Sequence, residues 1–159
     1  MKIMNRAIEG YCDIKAENYL GIFGNPIKHT LSPIIHDTIS MAMEIDEKYI
    51  PFYIEDNLGE YVNLAFDEGI LGLNITVPYK QDVMEFLVDI DEAAKEIGAV
   101  NTLVRTDNGY KGYNTDMQGL YMAMKSEGIL LDNKKVLMLG AGGAARAVAF
   151  MCLKYQHCS

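Results

Sequence analysis

The stretch Ile70-Leu-Gly-Leu-Asn-Ile-Thr-Val77, closed by Pro78 and followed by Tyr79 and Lys80, decides the fold of this chain. An apolar run of this length, with Gly69 before it and proline after it, reads as a buried strand. The same signal recurs upstream. Tyr19-Leu-Gly-Ile-Phe-Gly24 ends in the turn signal Asn25-Pro26 and reads as a first strand. Lys48 to Ile54 reads as a second, with Tyr49, Phe52 and Tyr53 as strand formers. Helical patterns fill the gaps. Ser32-Pro33 supplies a capping hydroxyl and a proline at the first helical position, and Ile34, Ile35, Ile39, Met41 and Ala42 carry helical spacing as far as Ile45. Asn57 to Glu68 forms a second helix ending at Gly69, and a short one spans Tyr79 to Leu87. The β-α-β-α-β-α order predicts an α/β fold: a mostly parallel open sheet with helices on both faces.

Further along, Ala99 to Arg105 and Tyr110 to Asn114 flank Thr106-Asp-Asn-Gly109, whose Asn-Gly step predicts one antiparallel hairpin. Thr115-Asp-Met-Gln118 has the form of a capping box and opens a helix running to Ser126. After a linker from Glu127 to Lys135, Val136 to Leu139 reads as a strand that passes through Gly140, Ala141, Gly142, Gly143 and Ala144 into a helix. That is the opening of a dinucleotide-binding unit, which needs a second strand bearing a ribose-reading side chain roughly 20 residues on. Tyr155-Gln-His-Cys-Ser159 does not read as such a strand. The chain is therefore expected to hold one domain over residues 1–134 and the truncated start of a Rossmann domain over 135–159. One strand and one helix cannot bury their own apolar faces. Residues 135–159 are expected to be mobile or to pack on a neighbouring molecule, which offers a homodimer contact.

Composition narrows the function. Half of the 159 residues are hydrophobic, enough for one core of ordinary domain size. A formal net charge of −8 without a Lys/Arg cluster excludes a nucleic-acid partner, because that affinity rests on basic groups. No segment has the roughly 18 apolar residues of a membrane span, and the N-terminus lacks a signal-peptide core. Cys12, Cys152 and Cys158 have no metal or redox spacing, and their odd number suits reduced thiols. The expectation is a soluble, cytoplasmic, acidic protein with no membrane partner and no metal site.

Several polar residues stand where a sheet protein has no need of them. Asn74 and Thr76 share one face of the third strand, and burying an unpaired amide or hydroxyl costs roughly 1–3 kcal/mol. They either bond neighbouring backbone or open on a cleft. Lys80 falls in the first turn of the predicted short helix, where the macrodipole disfavours a cation by a few tenths to about 1 kcal/mol. It is either solvated beside Asp82 and Glu85 or held there for chemistry. Asp116 is stabilised by its own helix N-terminus whatever its role. Ser32 serves as an N-cap, or with Thr30 as a carboxylate site built on orphan N–H groups and short O–H donors. His29 and His36 read as turn and helix-surface residues. All the hydroxyl, amide, lysine and aspartate candidates follow strands or lead into helices at one edge of the sheet, where open α/β folds bind ligands.

Taken together, these residues resemble the shikimate dehydrogenase family. Gly24-Asn-Pro-Ile-Lys-His-Thr-Leu-Ser-Pro33 is similar to the family segment whose two hydroxyl residues hold the substrate carboxylate. Asn74-Ile-Thr-Val-Pro-Tyr-Lys80 is similar to the motif that carries the catalytic lysine. Gly98-Ala-Val-Asn101-Thr102 and Gly112-Tyr-Asn-Thr-Asp116 resemble the segments supplying a substrate-binding asparagine and the aspartate that pairs with the lysine. Gly140 to Ala147 resembles the phosphate loop for NADP. The resemblance implies an NADP-dependent oxidoreductase of aromatic amino acid and chorismate biosynthesis, reducing 3-dehydroshikimate reversibly to shikimate. In it Lys80 and Asp116 are catalytic, Thr30, Ser32, Asn74, Thr76 and Asn101 bind substrate, and Gly140, Ala141, Gly142, Gly143 and Ala144 bind the cofactor. Thr30 stands where the family has serine, so a quinate/shikimate dehydrogenase is an alternative. A catalytically inactive shikimate-binding fragment is another.

Overall fold

Three apolar strands, read in parallel, form one side of the sheet in a computed structural model that describes residues 2–155. β1 (Asn18–Gly24) lies between β2 (Glu47–Tyr53) and β3 (Gly72–Ile75), parallel to both. β3 pairs antiparallel with β5 (Thr102–Thr106), which turns through the predicted hairpin into β6 (Gly109–Tyr113). β4 (Asp89–Ile90) adds to β6 in parallel, giving the order β2-β1-β3-β5-β6-β4. The sheet is thus mixed and mostly parallel, with β5 alone running against the rest.

Register divides the side chains between two faces. Gly21 and Phe23 align with Ile50 and Phe52 on one side and with Leu73 and Ile75 on the other, so this face is apolar throughout. It is covered by α2 (Leu58–Asp67), whose Leu58, Tyr61, Val62 and Ala65 join the main core. Phe23 and Phe52 meet edge to face at 5.7 Å, a favoured aromatic geometry. Gly21 is needed here, because a Cβ on it would lie 2.6 Å from the Phe52 ring and 2.7 Å from the Ile50 carbonyl. The opposite face carries Leu20, Ile22, Tyr49, Asn74 and Thr102 and receives α1 (Ser32–Ala42). This helix buries less than its apolar spacing predicts: Ile34, Ile35 and Ile39 stay 66%, 54% and 50% exposed, while Pro33 and Ser40 are buried.

Several expectations are corrected. Residues 79–87 do not form an α-helix; a turn leads into a 3-10 helix over Asp82–Phe86. Leu31 is the N-cap of α1, and Ser32 is already helical, so Ser32 does not cap. Thr115 precedes α4 (Asp116–Ser126) without a capping bond, because its hydroxyl is engaged by Asn101 instead. The 3-10 turn at Ile3–Arg6, β4 and α3 (Glu92–Ile97) carry too short a period to be read.

Val136 to Leu139 is not a strand, since among the described residues no neighbouring strand bonds it; Leu137 and Leu139 are 87% and 91% exposed. The helix after the glycine turn, α5 (Gly143–Tyr155), does not hang free. It packs on α3 and α4 of the same chain, burying Ala147, Met151 and Cys152 against Ile97, Ala99 and Met117. A small second core therefore forms within the chain here. Cys158 and the segment after Tyr155 lie outside the described residues. Among the described residues no helix is long and apolar enough to cross a membrane.

Candidate functional site

The segment after β3 sets the site. Thr76 N–H bonds Phe23 O at 3.0 Å, which continues the pairing past the end of the strand, and the chain then turns so that Lys80 O accepts from Val100 N at 2.7 Å. This clamps Lys80 beside the loop that enters β5. Its ammonium donates to Asp116 Oδ2 at 2.6 Å, with the two side chains 18% and 31% exposed. Lys80 thus pairs with a residue far along the chain rather than with Asp82 or Glu85. The macrodipole argument for it lapses, because it lies ahead of a short 3-10 helix.

Asp116 is held as firmly as its partner. Its N–H donates to Asn114 Oδ1 at 3.0 Å, and its Oδ1 accepts from Asn101 Nδ2 at 2.8 Å. Asn114 is buried and donates to Ala99 O at 2.9 Å. Asn101 Nδ2 also donates to Thr115 Oγ1 at 3.0 Å, while its Oδ1 accepts from Thr115 N–H at 3.0 Å and Thr102 Oγ1 at 2.9 Å. The Asn101 amide is therefore over-determined, and its donor end can only face the carboxylate. The charge-assisted bonds around Asp116 are of the strong kind, and partial burial raises their worth.

A second cluster lies at the end of β1. Thr30, Ser32 and Thr76 line a cavity of about 340 Å³ together with Ile22, Pro26, Ile27 and His29. Thr30 Oγ1 donates to Ser32 Oγ at 3.0 Å and accepts from Ser32 N–H at 3.2 Å. These groups carry no net charge. Hydroxyls that bond chiefly one another can turn towards an entering anion at little cost, since each needs only to exchange one acceptor for a better one. A larger cavity of about 590 Å³, lined by Ile8, Glu9, Lys28 and Tyr53, holds none of the predicted residues.

Asn74 joins the clusters. Its Oδ1 accepts from Tyr49 Oη at 2.6 Å, and its Nδ2 lies 3.4 Å from both Asn101 O and Thr102 Oγ1. Tyr49, Thr102, Asn114, Thr115 and His29 are the residues sequence reasoning missed. Tyr49 counted only as a strand former, and no spacing rule links it to a residue two strands away. The Asn before Thr115 and Asp116 did carry a signal, since Asx turns favour that position.

The glycine turn reaches the same place from the far side. Gly143 begins α5 against Lys80, and a Cβ on it would meet Lys80 Cβ and Cδ at 3.2 Å. Gly140 has a φ of 132°, a conformation that favours glycine. Gly140, Ala141, Gly142 and Ala144 are exposed around it. Free backbone N–H groups at the start of a long helix suit a phosphate.

Most of the known proteins this chain resembles are shikimate dehydrogenases, and a 5-ketofructose reductase of Gluconobacter also superposes, with a TM-score of 0.74 at 31% identity over 86% of this chain and 50% of that one. The family model for the shikimate dehydrogenase substrate binding domain matches residues 22–103. A shikimate dehydrogenase (NADP(+)) of Nitrosopumilus maritimus is 45% identical over 128 residues, covering 80% of this chain and 47% of the relative. Shikimate dehydrogenase 1 of Peptoclostridium difficile superposes with a TM-score of 0.83 at 36% identity, over 86% of this chain and 52% of that one. A Thermus thermophilus shikimate 5-dehydrogenase, solved with NADP(H) and shikimate, gives 0.80 at 32% identity over 86% and 52%. The chain spans about half the length of the curated relatives it matches.

Proposed function

The chain belongs to the family of the shikimate dehydrogenase substrate binding domain, and from that premise we propose that its cleft takes shikimate and 3-dehydroshikimate and serves their NADPH-dependent interconversion. The observation that carries this reading is the Lys80 ammonium 2.6 Å from Asp116 Oδ2, with the other carboxylate oxygen bonded by Asn101 at 2.8 Å. Reduction of a ketone places negative charge on its oxygen, and a proton must arrive as that charge develops. Lys80 supplies the proton. Asp116 and Asn101 keep its ammonium aimed, and in the reverse direction Lys80 removes the alcohol proton. Thr30 and Ser32 hold the ring carboxylate by their hydroxyls, and Asn74, Thr76 and Asn101 take the ring hydroxyls.

Gly140, Ala141, Gly142, Gly143 and Ala144 fit a dinucleotide phosphate, as Gly140, Ala141, Gly142 and Ala144 are exposed around the turn that begins α5. NADP, when bound there, supplies the hydride chemistry. In this reading residues 1–134 form the shikimate-binding catalytic unit and 135–159 the start of the cofactor unit, at work in the cytoplasm. A homodimer contact belongs at the exposed Leu137 and Leu139; a monomer at micromolar concentration in sedimentation analysis removes it.

Calorimetric titration of shikimate and of NADP, each alone, tests the reading. Binding of both, with turnover of 3-dehydroshikimate and NADPH, supports it. Shikimate binding without NADP binding favours a substrate-binding module instead, and a chain that binds neither overturns both.

A further inference from the structure

One buried phenol stands between the two clusters. β1 separates β2 from β3, and register puts Tyr49 level with Leu20 and Asn74 level with Ile22, all on one face. Only a long side chain can cross β1 from one outer strand to the other. Tyr49 crosses it, 2% exposed, to place its hydroxyl 2.6 Å from Asn74 Oδ1. His36 stacks on its ring at 4.0 Å and 16°, and its backbone N–H donates to Asp37 Oδ1 at 3.2 Å, so α1 holds it from above. Ser32 is its other polar neighbour. Burial pushes the phenol well above its ordinary pKa, so the hydroxyl keeps its proton.

That single proton decides which way Asn74 faces. An amide has one accepting end and one donating end, and the hydroxyl, given to Oδ1, turns the nitrogen towards Asn101 O and Thr102 Oγ1. Both contacts from the nitrogen are 3.4 Å, at the weak limit of a hydrogen bond, so its protons are oriented but only loosely held. From there the donors run in one direction: Thr102 Oγ1 gives to Asn101 Oδ1 at 2.9 Å, and Asn101 Nδ2 gives to Asp116 Oδ1 at 2.8 Å.

We propose that Tyr49 is a positioning residue: its hydroxyl locks the Asn74 amide nitrogen on the side of Asn101 O and Thr102 Oγ1, so that Asn74 meets a ring hydroxyl oxygen as a donor. Discrimination between a hydroxylated ring acid and the bare ring acid then depends on a residue that touches neither. The assignment rests on the reading that the cleft takes shikimate. Asn101 does not need this help, being fixed by Thr115 N–H and Asp116. Asn74 does, because its carbonyl has Tyr49 as its donor and its other neighbours are long.

The test compares two ligands, shikimate and cyclohexene carboxylate, the same ring acid without hydroxyls, titrated into the full chain. Tyr49→Phe is expected to weaken shikimate about tenfold, the scale of one lost hydrogen bond, and to leave the bare acid unchanged. In an Asn74→Ala background the same change should cost nothing further. Equal shikimate affinity in Tyr49→Phe, a parallel loss of both acids, or a full additional loss on top of Asn74→Ala each overturns the proposal. Should Tyr49→Phe not fold, the ligand-free wild-type chain still decides. Nuclear Overhauser contacts from the Asn74 amide protons are expected to reach Thr102, and strong contacts to the Tyr49 ring protons instead refute the lock. Failure of the wild-type chain to bind shikimate counts against the functional reading, and the Overhauser contacts then judge the lock by itself.

Discussion

Around Lys80 and Asp116 each carboxylate oxygen, the aspartate N–H and both ends of the Asn101 amide have partners at 2.6–3.0 Å. Around Thr30 and Ser32 the hydroxyls have each other, at 3.0 Å, and the Tyr49 phenol beside Ser32, above a cavity with no Asp, Glu, Lys or Arg in its lining. The first cluster is pre-organised, and the second is built to be rearranged by what it binds. That division matches two demands of the carbonyl reduction proposed above. Proton delivery needs a group fixed in place before the substrate arrives. Anchoring a carboxylate needs donors able to turn, whose gain is realised equally in the ground and transition states.

The largest expected effect tests the rigid cluster. Lys80→Ala should lower kcat for 3-dehydroshikimate by about 100- to 10,000-fold, the range for loss of a positioned acid, with a far smaller change in KM. A rise in KM with kcat kept makes Lys80 a binding residue and dissolves the distinction. Ser32→Ala tests the other half, and the pattern should invert. Losing one hydrogen bond to a charged carboxylate raises KM about 10-fold or more while kcat stays within a few-fold. Steady-state kinetics with both reactants varied separate the two outcomes.

Gly143→Ala probes whether the turn before α5 belongs to the rigid cluster. The added methyl meets Lys80 Cβ and Cδ at 3.2 Å, so the lysine stem has to move by a few tenths of an ångström. Misplacing a fixed group is costly, and kcat should fall about three- to tenfold, with shikimate affinity by calorimetry unchanged. An unchanged kcat separates the glycine turn from the lysine.

The sequence made the parallel strands and the hairpin legible because apolar runs, glycine and proline punctuation and an Asn-Gly step are local signals. Counting strand ends along the chain predicts Thr30, Ser32, Asn74, Thr76, Lys80 and Asp116 at one sheet edge, whereas Asn101 comes from the family resemblance alone. The sequence could not show that Asn101 and Asp116 share a hydrogen bond, or that Tyr49 reaches across a strand, because these pairings depend on register between segments. Short elements such as β4 and α3 escaped for a related reason: tertiary contacts, not their own periodicity, hold them. Val136 to Leu139 failed in the opposite way. Its strand propensity is strong, yet a strand exists only when a neighbour bonds it.

The smallest expected effect concerns pH, and it belongs to the rearrangeable half. Burial against Tyr49 pulls His36 below its ordinary value of 6.5, against the opposing pull of Glu47 and Asp37. In the folded chain the imidazole therefore gives up its proton more readily than in the unfolded one. Between the two values the unfolded state binds more protons, so stability rises with pH across that window. The contribution is complete above about pH 6.5 and is lost as pH falls through the lower, folded value. His36→Gln removes that term and keeps a polar side chain over the Tyr49 ring. Urea unfolding at about pH 7.5 and about pH 5 should show a smaller pH-dependent loss in the variant than in the wild type. Equal losses exclude His36 as the source. A larger loss in the variant means that Glu47 and Asp37 outweigh burial, which makes α1 the charged wall of a cluster otherwise built from neutral donors.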